Sequence, residues 1–142
     1  MKMNIIFDQL FQYGFHDTEL SSICGKNLEI SLYFQNGLYL LDKTGKETIL
    51  SKPIRIILKL DTYFDSFEEA IEIREYGKKL KHLNYATIQN LLSKENFGIS
   101  IAYFSYFNNC IMFDGGISKK NIMLSIEGIN EIVIQTPKSI TS

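Results

Sequence analysis

Met3, Ile6, Phe7, Leu10 and Phe11 fall at i, i+3, i+4, i+7 and i+8, the stripe of a short amphipathic helix, with Gly14 placed to stop it. From Glu19 the period changes to two. Leu20 and Ile23, then Leu28, Ile30, Leu32 and Phe34, alternate with polar residues, and Gly25-Lys26-Asn27 supplies the turn of a hairpin. Leu38–Leu41 and Thr48–Leu50 form a second strand pair around Lys43-Thr44-Gly45-Lys46, and Pro53 opens a strand over Ile54–Leu60.

The middle of the chain carries two competing patterns. Ser66-Phe67-Glu68-Glu69 has the form of a capping box, and Phe67, Ala70, Ile71, Leu80 and Leu83 fit a helix face over 67–82. Ile71-Glu72-Ile73-Arg74 also alternates as a strand does, and Gly77 interrupts a helix, so 70–81 is open between the two. Ile88, Leu91 and Leu92 mark a further short helix capped by Asn84, with Asn96-Phe97-Gly98 as its exit. The two helices are expected to pack as a pair.

After Gly98 the period of two returns in Ile99, Ile101 and Tyr103, and Asn108-Asn109 forms a turn before Cys110–Phe113. Gly115-Gly116 is expected to break the chain. Ile122, Leu124, Ile126 and then Ile132, Ile134 are two last strands around Gly128, and the polar tail Pro137–Ser142 is expected to fray. The order of strands, helices and strands predicts a single α+β domain over 1–142: one mostly antiparallel sheet with two or three helices packed on one face.

Composition supports a folded core and limits the partners. Of the 142 residues 45% are hydrophobic, and 15 basic against 16 acidic side chains leave a net charge of -1. Bulk attraction to nucleic acid or anionic lipid is therefore not expected. The start MKMNIIFDQLF is broken at Asp8 and fits neither a signal peptide nor a membrane span, so a cytoplasmic protein is expected. Eighteen aromatic residues, 8 Tyr and 10 Phe, exceed what one inward face needs, which leaves some for a binding surface or an oligomer interface.

Candidate chemistry is sparse. His16-Asp17 pairs a titratable imidazole with a carboxylate, as a general base does, but Asp17-Thr18 equally shapes the start of a strand through side-chain hydrogen bonds. His16 and His82 are too few for a metal site, and Cys24 and Cys110 read as buried, structural free thiols, so neither cofactor nor metal is expected. The acids Asp61, Asp65, Glu68, Glu69, Glu72 and Glu75 precede Lys78, Lys79 and Lys81. On a helix this order suits the helix dipole without any function. It also sets Glu68, Glu72 and Glu75 at i, i+4 and i+7 as an acidic face toward a basic partner, with Tyr63, Phe64 and Tyr76 as its anchors. Lys78, Lys79, Lys81 and Lys119-Lys120 are clusters too small for more than weak, salt-sensitive RNA contacts.

The segment Tyr13-Gly14-Phe15-His16-Asp17-Thr18-Glu19-Leu20, continued by Ser21-Ser22-Ile23, resembles the opening of small bacterial uncharacterised and toxin-immunity proteins. Those carry an aromatic-His-Asp-Ser/Thr-x-Ile/Leu run before their first hairpin, and Ile126–Ile132 is similar to their closing strand. The resemblance implies an antiparallel α+β domain that binds and blocks a protein toxin; the acidic middle segment and the aromatics add the expectation that it occludes the active site of a cognate toxin such as a basic nuclease. It carries over no binding residues. The 21 Ile, 13 Lys and 10 Asn against 2 Arg match an A+T-rich gene, as in a bacterial accessory locus. Two other readings stand beside it: a ligand-binding or self-associating domain, monomer or homodimer, and a small enzyme using His16.

Overall fold

The computed structural model describes residues 2–41, 44, 46–50 and 52–136. Its strands are β1 (Lys2–Ile5), β2 (Tyr13–Gly14), β3 (Thr18–Leu20), β4 (Ser22–Lys26), β5 (Glu29–Phe34), β6 (Leu38–Leu41), β7 (Glu47–Leu50) and β8 (Ile54–Leu60). They continue with β9 (Ile71–Tyr76), β10 (Lys81–Leu83), β11 (Phe97–Ser105), β12 (Cys110–Ile117), β13 (Lys120–Ile126) and β14 (Ile129–Gln135). One α-helix is present among the described residues, α1 (Tyr85–Leu92), with 3-10 turns at Phe7–Gln12 and Phe67–Glu69.

The strands form three antiparallel sheets, in the orders β1-β14-β8-β5-β4, β10-β9-β13-β12-β11-β3 and β2-β6-β7. Alternation explains the layering: Ile30, Leu32, Phe34, Ile56, Leu58, Ile132 and Ile134 of the first sheet are buried. So are Phe97, Ile99, Ile111, Phe113, Ile122, Leu124 and Ile126 of the second, and all belong to one cluster. Phe15 bridges the layers, its ring 5.7 Å from Phe34 and 5.2 Å from Phe113.

Two short corners carry the chain from one sheet to the other. Residues 18–26 are nearly one strand bent at Ser21, pairing with β11 before the bend and with β5 after it. Ser21 N donates to Tyr33 O, and Gln35 N to Ser21 Oγ, at 2.8 and 3.0 Å. The second corner joins β13 to β14 at Gly128, whose φ of +68° suits glycine and whose Cα packs under the Phe64 ring.

The sequence expectations divide along these elements. The hairpin β4-β5, the pair β6-β7, the strand after Pro53, the Asn108-Asn109 turn and the last two strands are present as expected. Lys43, Gly45 and the tail Pro137–Ser142 lie outside the described residues. The turn of the first hairpin sits later than expected, at Asn27 (φ 55°), while Gly25 stays in β4, where a Cβ would strike the Phe67 ring.

Three expectations are corrected. The N-terminal amphipathic helix is instead β1 followed by a 3-10 turn, because residues 2–5 pair along β14 and Met3 and Ile6 are left exposed. The helix over 67–82 is one 3-10 turn followed by β9 and β10. Ser66 makes no side-chain cap, and Glu69 Oε2 instead accepts from Asp65 N at 2.6 Å, while the Ile71/Ile73 alternation wins along β13. One α-helix therefore replaces the two or three expected, and three sheets replace one. The third correction is Gly115-Gly116, which lies within β12; the chain turns at Ser118-Lys119, both in left-handed backbone.

The one α-helix is placed by its cap and its polar face. Asn84 Oδ1 accepts from Thr87 N at 2.9 Å, and Ile88 and Leu92 are buried. Tyr85 Oη accepts from Gly25 N at 2.7 Å and Gln89 Nε2 donates to Ile23 O at 3.3 Å, so α1 satisfies backbone groups of edge strand β4.

Candidate partner-binding surface

Three loops meet at the Gly128 corner: Asp61–Ser66, the β11-β12 tip Tyr106–Asn109, and Glu127–Gly128. Asp61 N donates to Gly128 O (2.9 Å), Gly128 N to Asn108 O (2.7 Å), Ile129 N to Asn109 O (3.2 Å), and Asn109 Nδ2 to Ile129 O (3.1 Å). Asn108 and Asn109 both have positive φ, a geometry asparagine tolerates through its short polar side chain. Tyr63 Oη donates to Asn108 Oδ1 at 3.0 Å.

This network holds large apolar groups in water. Phe107 is 88% exposed, Tyr106 63%, Ile6 62% and Tyr63 61%. They form one connected end of the molecule: Tyr63 touches Asn108, next to Phe107, and Tyr106 packs edge-on against Phe7, which follows Ile6, with centroids 5.9 Å apart. The Tyr106 hydroxyl is held above its ordinary pKa by desolvation first and then by the Asp8 carboxylate. Exposed aromatic groups fixed by backbone hydrogen bonds lose little entropy on binding, which makes them effective anchors.

The expected site residues separate into three groups. Asp61, Tyr63 and Asp65 lie on the loop at this corner, and Glu68 and Glu69 on the 3-10 turn that follows it, where Glu68 acts on Tyr85 of α1; Asp65, Glu68 and Glu69 are exposed. Phe64, expected as an anchor, is buried: it stacks under Tyr63 at 4.3 Å and fills the space over Gly128, so it supports the loop from below. Glu72, Glu75 and Tyr76 belong to β9, where the expected common face does not exist. Glu72 and Tyr76 point outward, and Glu75, on the opposite side, pairs with Lys120 at 3.5 Å. Glu72 pairs with Arg74 at 2.5 Å and raises its pKa.

Phe107 and Tyr106 escaped the sequence reading. The signal for them was the apolar pair Tyr106-Phe107 directly before an Asn-Asn turn, where strand alternation gives no reason for two large aromatics.

The other candidates are placed as follows. His16 is half-buried and stacks on Tyr39, centroids 5.3 Å apart. Asp17 takes a positive φ, and Thr18 bonds back to Phe15 O through both its backbone N and its hydroxyl, so Asp17-Thr18 forms the turn into β3. Cys24, expected to be buried, is exposed because it alternates with buried Ile23 along β4, whereas Cys110 is half-buried and burial pushes its thiol up, partly offset by Ser125. His82 is exposed on β10, 3.9 Å from Glu72. Among the described residues no group of three or more His, Cys, Asp or Glu is arranged to hold a metal ion, and no helix is long and apolar enough to cross a membrane.

The chain matches no protein-family model, no curated protein and no solved structure.

Proposed function

We propose that this chain is a non-enzymatic inhibitor of the immunity type, which binds a basic cognate protein toxin in the cytoplasm and covers its active site. The observation that carries this reading is Phe107, 88% exposed on a hairpin tip that is fixed by three hydrogen bonds between Asn108-Asn109 and Gly128-Ile129 and by the Tyr63 contact. A ring held so far into solvent costs solubility unless a partner covers it. The neighbouring carboxylates Asp61, Asp65, Glu68 and Glu69 give that partner a sign: they favour a basic surface around an apolar pocket. A nuclease fits, because its active site is built to attract phosphate.

The reading is tested by capture with the tagged chain from its source cells at about 50 mM and about 500 mM salt, followed by assay of whatever is retained. The expected result is a basic protein held at low salt and released at high salt, whose toxic or nuclease activity the chain suppresses at equimolar ratio. A captured protein with undiminished activity, or no salt-sensitive capture, contradicts the reading.

A further inference from the structure

The outward face of the six-stranded sheet is a second surface, independent of the aromatic end. Its side chains form cross-strand rows. One runs Arg74, Met123, Asp114, Ile101 from β9 through β13 and β12 to β11; the next runs Tyr76, Asn121, Gly116, Gly98. The second row is tall at one end and empty at the other. Tyr76 is 38% exposed, its hydroxyl 3.7 Å from Met123 Sδ, whereas Gly116 lies in an open hollow of about 590 Å³ bounded by Tyr76, Ser100, Asp114, Asn121 and Met123.

Nothing inside the chain requires those two glycines. Neither has a positive φ, and a Cβ would meet only Gly116 O at 3.7 Å from position 98 and Lys120 O at 3.4 Å from position 116, both ordinary contacts. Glycine weakens a strand relative to alanine, and where internal packing does not demand it, it marks a bulge, as the register shift beside Gly98 does, or the close approach of a ligand or another backbone, as open Gly116 allows. Charge is also divided along the first row: Arg74 on β9, held by Glu72 at 2.5 Å, and two strands away on β12 Asp114, which has no cation within ion-pair distance among the described residues.

We infer that this face binds a second copy of the chain about a two-fold axis running along β13. That axis places Met123 against Met123, Arg74 of each copy opposite Asp114 of the other, and Tyr76 of each copy over the other's Gly116. Knob meets hollow and cation meets carboxylate in one operation, twice by symmetry, as an isologous interface requires. The four central strands span about 15–20 Å, a patch suited to reversible association and not to a permanent dimer.

Analytical ultracentrifugation of the full chain from about 1 to 500 µM tests this. The expected result is concentration-dependent dimerisation, weakened about tenfold or more by Asp114→Arg and by Arg74→Asp, and restored when the two are combined. Gly116→Gln, which has room in the monomer, is expected to remove the dimer while leaving the circular dichroism and Tm unchanged. A chain monomeric at every concentration overturns the inference, as does a dimer untouched by Gly116→Gln. Should the charge variants fail to fold, Gly116→Gln alone decides. The captured partner is not used, so this test fails or succeeds separately from the inhibitor reading.

Discussion

Gly115→Ala will cost more than about 4 kcal/mol and leave little folded protein, whereas Gly116→Ala will raise stability by about 0.5 kcal/mol. The two residues are adjacent in one strand and differ only in what lies beside them. A Cβ on Gly115 would lie 1.9 Å from Gly98 O and 2.9 Å from its carbonyl carbon, with Ile99 Cα at 3.1 Å. These are backbone atoms of the partner strand, at the point where the β11-β12 register shifts between Ile99 and Ile101. No rotamer change relieves such a clash; β11 must move off β12, and with it Phe97 and Ile99 leave the core. With total stabilities of about 5–15 kcal/mol, that loss takes most of the margin. Urea unfolding of both variants checks the pair: similar midpoints would mean that the close approach at Gly115 is not as described.

The second large effect is on binding. Under the proposed function, Phe107→Ala will weaken the complex with a captured partner by about 2–4 kcal/mol, roughly 30- to 1000-fold, mainly through faster dissociation, with Tm unchanged. The ring makes its contacts outside the monomer, so its loss removes nothing that holds the fold. Reversing Asp61, Asp65, Glu68 and Glu69 to lysine will act differently, slowing association and flattening its salt dependence, because exposed charges steer encounter more than they hold the complex. Surface plasmon resonance separates the two effects, and a Phe107→Ala chain that binds as tightly as the parent removes this residue as the anchor.

What the sequence made legible follows from how local each signal is. Strands in which Ile or Leu alternates with polar groups, such as β5, β8 and β13, announce themselves because the buried face is written every second residue. Asn84 and Asn108-Asn109 were legible for a similar reason, since capping and left-handed turns are set by the residue itself. Residues 67–82 carried two valid local codes, and the choice was made by β13, more than forty residues away, whose open edge offers hydrogen bonds that a lone helix lacks. The N-terminal stripe lost to β14 in the same way.

For the candidate surface the acidic loop was visible as a charge run, and Tyr63 with it, but Phe107 was not. Its prominence depends on three segments, at 61–66, 106–109 and 127–129, that meet only in the fold. The helical face proposed for Glu68, Glu72 and Glu75 dissolved once β9 was a strand, because a period of two sends Glu72 and Glu75 to opposite sides. The expected break at Gly115-Gly116 fails for a related reason: a glycine pair looks like a turn in sequence, and only the cross-strand neighbour Gly98 shows Gly115 to be a site of close backbone approach within a strand.

The most direct test of the proposed function is hydrogen exchange of the chain with and without the partner captured as described. The account predicts slowed exchange concentrated at residues 61–69 and 106–109, with the outward face of the five-stranded sheet unchanged. Protection confined to that five-stranded face, with the aromatic end exchanging as in the free chain, would contradict it.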